Sequence, residues 1–375
     1  MRDIFVAADN IFSPIGFTTG ENLVNLKNNI SGIKEHLPCS MSEQPFYASL
    51  FDETHFPPAT KDITKFEQVL IASISNALEN TDIKTTDPKT VLIISTTKGN
   101  ISLLETGTYN TEIHSRIALH HSAKLVAAHF NFVHTPVIVS NACISGILAM
   151  ITGMRLIQSG QYENAVIAGA DMITKFVLSG FQSFQAISER PCKPFDAARN
   201  GINLGEAAAT VILSANEKYK GEIKIAGGST SNDANHISGP SRTGEELFLA
   251  IKKAMKEAGL TESDIDFISA HGTATLYNDE MEAKAIALGN MQSVPVNSLK
   301  GFYGHTLGAA GIIESVIAIH SLKENIVFPT MGFNEIGVSV ALNLSNKLKE
   351  ANLKNVLKTA SGFGGCNAAM VMRKN

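Results

Sequence analysis

Four side chains in this sequence can serve as nucleophile, proton carrier or fixed charge: Cys143, His271, Lys300 and His305. Cys143 stands in "VIVSNACISGILAM", where a short apolar run gives way to small residues. That pattern predicts a buried strand, a tight turn and a helix start. Free N–H groups and the helix dipole at such a start favour a thiolate. The same groups can bind an oxyanion, which is the logic of a nucleophile elbow with sulfur in place of oxygen. The competing reading is a buried structural thiol, since free cysteine is among the most buried residue types; Cys39, Cys192 and Cys366 are assigned that role. His271 lies in "SAHGTATLYNDE", directly after a strand-like run, and Lys300 and His305 share the loop "VNSLKGFYGHTLGAAG". Phe363 sits inside the glycine turn of "ASGFGGCNAA". Each has an ordinary explanation alone: a packed histidine, a solvated lysine, a backbone turn. Together they fall at strand ends and glycine loops, where α/β folds place their chemistry.

The elements that must position these groups alternate. Apolar runs of strand length at Val91–Ser95, Val137–Ser140, Ala165–Ala170 and Ala209–Leu213 read as strands covered on both faces. Between them, "ITKFEQVLIASISNALEN" places Phe66, Leu70, Ile74, Ala77 and Leu78 on one helical face. The second half repeats the theme. Strands are predicted at "EIKIAGGS", "DFISAHG", "VPVNS", "VLKTASG" and "AAMVMR", with a helix closed by Gly259 and another over "LGAAGIIESVIAIHSL". This is an α/β chain with helices on both sides of mixed sheets. The polar stretch Ser214–Glu222 divides it into two similar halves, residues 1–220 and 221–375.

Composition excludes several classes. The 375 residues are 44% hydrophobic and 18% charged with a net charge of −4, so no broad nucleic-acid surface is expected. Four cysteines are too few for a disulfide framework, and no spacing matches a zinc site. The N-terminal stretch lacks the apolar core of a signal peptide, and no run is long enough to span a bilayer. A cytoplasmic, reducing location is the expectation.

The motifs taken together resemble the β-ketoacyl-acyl-carrier-protein synthases of the thiolase superfamily, in their elongating Cys-His-His form. "SNACISG" resembles the nucleophile motif at Cys143, "HGTAT" the first histidine motif at His271, and "KGFYGHTLGAAG" the motif carrying Lys300 and His305. "KPFDAARNGINLGEAAA" is similar to a long stretch of the family, with Glu206 at its acidic position, and "SGFGGCN" to the turn bearing the gate residue Phe363. "DANHISGP" resembles the segment at the pantetheine entrance. The resemblance implies a thiolase-like fold of two pseudo-symmetric halves in five alternating α/β/α/β/α layers. It implies decarboxylative Claisen condensation of an acyl group on Cys143 with malonyl-acyl-carrier protein, in fatty-acid or polyene/polyketide chain extension. His271 and His305 would donate to the enolate oxygen, and the N–H groups of Cys143 and Phe363 would hold the second oxyanion. Lys300 would tune the site with Glu206 as its partner. Thr273, Thr275, Ser238 and His236 would line the pantetheine tunnel. The resemblance also implies an acyl carrier protein as partner, and a homodimer or a heterodimer with a related synthase-like chain. It implies no cofactor beyond the substrates' phosphopantetheine, and no metal.

Two departures bear on the substrate. Ser361 stands where many members of the family carry a second phenylalanine beside the gate, and Cys366 replaces a threonine. Tunnel depth and gate bulk set which acyl chains fit, so a smaller Ser361 is expected to open room for a stiff or unsaturated chain. Two rival functions are weighed, the first of them opposed by Lys300 and the HGTAT loop, which belong to the decarboxylating design. A coenzyme A thiolase would use a second cysteine, such as Cys366, as its acid and base. A chain-length-factor-like partner would shape another synthase's tunnel without catalysis, and such partners usually lack the cysteine that is present here.

Overall fold

A computed structural model describes residues 2–56, 63–106, 108–221, 223–235 and 237–375. The sheet strands that matter for function come in two sets of five. The first set is β1 (Phe5–Phe12), β2 (Thr90–Ser95), β3 (Val137–Val139), β4 (Asn164–Asp171) and β5 (Ala207–Ser214). The second is β6 (Ile223–Asn232), β7 (Phe267–Ser269), β8 (Pro295–Asn297), β9 (Asn355–Gly362) and β10 (Cys366–Lys374). Their spatial orders are β1-β5-β4-β2-β3 and β6-β10-β9-β7-β8, which is one topology used twice. The pairing senses repeat as well. In each half the first and fifth strands and the fourth and fifth run antiparallel, while the fourth, second and third run parallel. The pair Phe5↔Lys224 joins the halves into an 11-stranded sheet, whose far edge is the short strand Asn343–Leu344.

Burial explains the layering. Every residue of β2 and β5 is buried, as expected for strands covered on both faces. Helices α1 (Lys65–Glu79) and α2 (Leu119–His129) cover the outer face of the first half. Helix α1 buries Phe66, Val69, Leu70, Ile74 and Ala77 along one stripe, and the expected Leu78 lies at its half-buried margin. Helices α5 (Glu245–Ala258) and α6 (Leu276–Leu288) cover the outer face of the second half, and α5 ends at Gly259 with φ +66°.

The middle layer is different in kind. Helices α3 (Ser145–Gln158) and α7 (Ala310–Glu324) pack against strands of both halves. Helix α7 is buried almost all round, from Ala310 to Ile319, which is how a helix wrapped by sheet must read. The two helices meet on glycine. A Cβ on Gly146 would come within 2.8 Å of the Ile312 nitrogen, and one on Gly311 within 2.7 Å of the Ile147 nitrogen. Such close approach brings the N-terminal ends of both helices to one place, and the residues preceding those ends build the site.

Candidate active site

Cys143 lies two residues before the first residue of α3, on the loop that leaves the carboxyl end of β3. Ala142 takes a left-handed conformation, φ +42°, so the chain turns sharply at the residue before the thiol. His271 follows the carboxyl end of β7, and Lys300 and His305 lie between β8 and α7. Phe363 occupies the turn between β9 and β10, next to Gly364 and Gly365 at φ +85° and +76°. Residues far apart in sequence therefore arrive from four matched strand ends.

They converge. The Cys143 sulfur and one ring nitrogen each of His271 and His305 lie within 4.8 Å of one another, all three residues buried. The imidazoles meet edge to face with centroids 5.2 Å apart. A cavity of about 540 Å³ opens onto the three side chains and is also lined by Phe363, Thr273, Thr275 and Ser238. His236 lies outside the described residues. The Thr273 and Thr275 hydroxyls sit 2.9 Å apart on the wall.

The electrostatics fix protonation. Burial, followed by the charge of Lys300, holds both imidazoles well below the ordinary histidine range, so both are neutral near pH 7. Neither ring nitrogen of His305, nor Nδ1 of His271, has a hydrogen-bond partner among the described residues. Unpartnered, fully buried nitrogens beside a cavity are free to bond a substrate. The thiol departs from the helix-start expectation. Burial pushes Cys143 up to about 12, with Cys366 adding to the effect, against opposing pulls from Lys300, the Phe363 N–H and Lys98. Resting Cys143 is thus a thiol, with neutral imidazoles close enough to take its proton. A thiol and two imidazoles also form a donor set for a soft cation, but the positive charge of Lys300 acts on all three and opposes one.

Lys300 is buried, donates to the His271 carbonyl oxygen at 3.1 Å and pairs with Glu314. This corrects the expected partner. Glu206 is also buried, but its carboxylate accepts from the N–H groups of Phe51 and Ile173, both at 3.1 Å, and pairs with Lys65 at 3.2 Å. Glu206 ties together backbone segments of the first half, while helix α7 carries the true partner to Lys300.

Other residues at the site were not singled out from sequence. Lys358 pairs with the second oxygen of Glu314 at 2.8 Å. Glu282 accepts from the His271 and Gly272 N–H groups, each at 2.8 Å. Phe181 stacks on Phe363 with centroids 5.6 Å apart, and Phe184 leans on it at 5.2 Å. Ser361 donates to Asn367 Oδ1 at 2.7 Å, and both line the cavity. The signal for the charged pair was present: Glu314 is the one charge in the buried run Ala310–Ile319 and Lys358 the one charge in the strand Asn355–Gly362.

The relatives of this chain bear on the arrangement. The model of the beta-ketoacyl synthase N-terminal domain matches residues 4–218, and that of the C-terminal domain residues 223–334. The chain belongs to the beta-ketoacyl synthase family. It is 28% identical to a 3-oxoacyl-[acyl-carrier-protein] synthase 2 of Vibrio harveyi, over all of this chain and 99% of that one. It is 33% identical to the synthase of the same name from Rhizobium meliloti over 63% of this chain and 60% of that one. A ketosynthase solved in complex with its chain length factor, from Xenorhabdus doucetiae, superposes with a TM-score of 0.91 at 23% identity, covering 100% of this chain and 98% of that one. A beta-ketoacyl synthase from Burkholderia phymatum gives 0.88 at 22% identity, with both chains fully covered. These likenesses establish the thiolase-like fold. The protein is an acyltransferase that extends acyl chains by Claisen condensation. Among the described residues no helix is long and apolar enough to cross a membrane.

Proposed function

We propose that Cys143 carries the growing acyl group and that the two histidines generate the nucleophile from malonyl-acyl-carrier protein. The observation behind this is the meeting of one thiol and two neutral, unpartnered imidazoles at one cavity. In the first half-reaction the Cys143 sulfur attacks the carrier's acyl thioester. Its proton leaves through a neighbouring imidazole to the departing carrier thiol, and the new thioester stays reactive. In the second, malonyl thioester loses carbon dioxide and the electron pair forms an enolate. Neutral His271 and His305 donate ring N–H bonds to the enolate oxygen. The carbanion attacks the Cys143 thioester, and the resulting oxyanion is held by the N–H groups of Cys143 and Phe363. Collapse expels the Cys143 sulfur as a thiolate, which takes a proton from water, and leaves a 3-oxoacyl product on the carrier. Removing one such donor costs about 3 kcal/mol of barrier lowering.

Lys300, oriented by Glu314, holds the His271 carbonyl oxygen and raises the local positive potential. Thr273, Thr275 and Ser238 receive the phosphopantetheine arm, and the substrates bring this group with them, so no separate cofactor is required. Residues 1–220 supply the nucleophile and residues 221–375 the histidines and gate. The chain works in the cytoplasm with an acyl carrier protein, as a homodimer or as the active half of a heterodimer. The likeness to a ketosynthase solved in complex with its chain length factor supports the second arrangement.

The test is mass spectrometry of the protein after exposure to acyl carriers, followed by assay of malonyl-carrier decarboxylation. Acyl mass on a Cys143 peptide, absent in Cys143→Ala, supports the reading. Its absence in the parent would favour a tunnel-shaping partner, and acyl transfer without decarboxylation would favour a coenzyme A thiolase.

A further inference from the structure

Lys358 is a lysine at the centre of a core strand, with none of its surface exposed. In the parallel pairing of β9 with β7 its register partner is Ser269. Its Nζ donates to the carbonyl oxygens of Ser269 at 3.1 Å, Ala270 at 3.3 Å and Thr359 at 2.7 Å. It also pairs with Glu314 Oε2 at 2.8 Å. Four oxygens therefore surround one ammonium, the coordination a small bound cation would have.

What this shell holds is the approach to His271. Ser269 and Ala270 immediately precede it. The His271 carbonyl oxygen belongs to Lys300, and the His271 and Gly272 N–H groups belong to Glu282, which also accepts from the Thr359 hydroxyl at 2.6 Å. The loop that delivers the imidazole is thus gripped at consecutive backbone groups by three buried charges. A buried ammonium is costly unless it satisfies several partners at once, and here it has four. An apolar side chain would leave the Ser269 and Ala270 carbonyl oxygens without that donor and Glu314 with one lysine instead of two.

We infer that Lys358 is a positioning residue for the condensation: an internal ammonium, caged by three carbonyl oxygens and Glu314, that sets the His271 loop for enolate formation. This rests on the proposed role of His271. It separates the two half-reactions, because acyl transfer needs one imidazole as proton carrier, which His305 can supply, whereas enolate formation needs the His271 N–H as well.

The experiment uses the full chain with Lys358→Ala and Lys358→Met, each assayed for acyl mass on Cys143 and for malonyl-carrier decarboxylation. Ammonium chloride is the probe, against choline chloride at equal ionic strength. The Ala variant vacates the oxygen shell for an ammonium ion; Met fills it. Misplacing a catalytic group by about 1 Å costs on the order of 100-fold, so decarboxylation is expected to fall about 100-fold in both variants while acyl transfer stays within about threefold. Ammonium then restores roughly tenfold or more in Lys358→Ala only. Parental decarboxylation in both variants overturns the inference, as does a joint fall of both half-reactions that ammonium leaves unchanged. If Lys358→Ala unfolds in choline, recovery of fold and decarboxylation in ammonium supports the inference, and no recovery overturns it. A parent that acylates Cys143 without decarboxylating malonyl carrier instead removes the role of His271, and this inference with it.

Discussion

Cys143 illustrates how position and protonation pull apart. Its place just before a helix start would favour a thiolate, but the same place buries it, and burial pushes its thiol up to about 12. The thiolate fraction below that value rises with pH, so alkylation of Cys143 by iodoacetamide should accelerate about tenfold per pH unit from roughly pH 7 to 10. A rate that levels off near pH 8 would contradict this. The histidines give the opposite signature. Their protonation is depressed, so the neutral, donating form already dominates near neutrality. Decarboxylation should show no histidine inflection between about pH 6 and 8. Ser361 lies on the cavity wall, so replacing its hydroxyl contact to Asn367 with a ring in Ser361→Phe should lower kcat/KM for long or rigid acyl chains by about tenfold or more, with short chains spared. Equal selectivity across a chain-length panel would sink that expectation. The reactive residues were legible because each stands in a short motif with its own chemistry. Glu314 and Lys358 escaped notice because a charge inside an apolar segment gains meaning only when the opposing charge is brought up by another element.

Helices α3 and α7 convert sequence into geometry at the next scale. Each begins near a reactive group, and their mutual approach depends on Gly146 and Gly311 having no side chain. Gly146→Ala should cost about 1–3 kcal/mol through forced separation of packed backbones, read as a lower denaturant midpoint, and should also slow acyl transfer. Their periodicity showed that helices existed. That both belong to a shared middle layer could not be read from either alone, because burial on all sides is also what an isolated apolar segment would display. Glu314 couples this layer to the histidine loop. Glu314→Leu would strand two buried lysines, for a loss of about 3–5 kcal/mol, measurable by urea titration.

Across the whole molecule, one strand order is used twice, and the reactive groups all follow carboxyl ends of parallel strands in the two copies. The alternation of runs in each half made the repetition visible in sequence. The strand order was not, since pairing depends on contacts between residues far apart along the chain.

The two copies differ between their fourth and fifth strands. In the second half β9 reaches β10 through the tight turn 363–365, whereas in the first half β4 reaches β5 only after the excursion 172–206. That excursion includes the helix Lys175–Ser183 and supplies Phe181 and Phe184, the rings resting on Phe363. Part of the wall over the substrate is therefore supplied from outside the strands that lead to the reactive groups, so substitutions at Phe181 and Phe184 can reshape the space beside Phe363 while the two sheets keep Cys143, His271 and His305 in place.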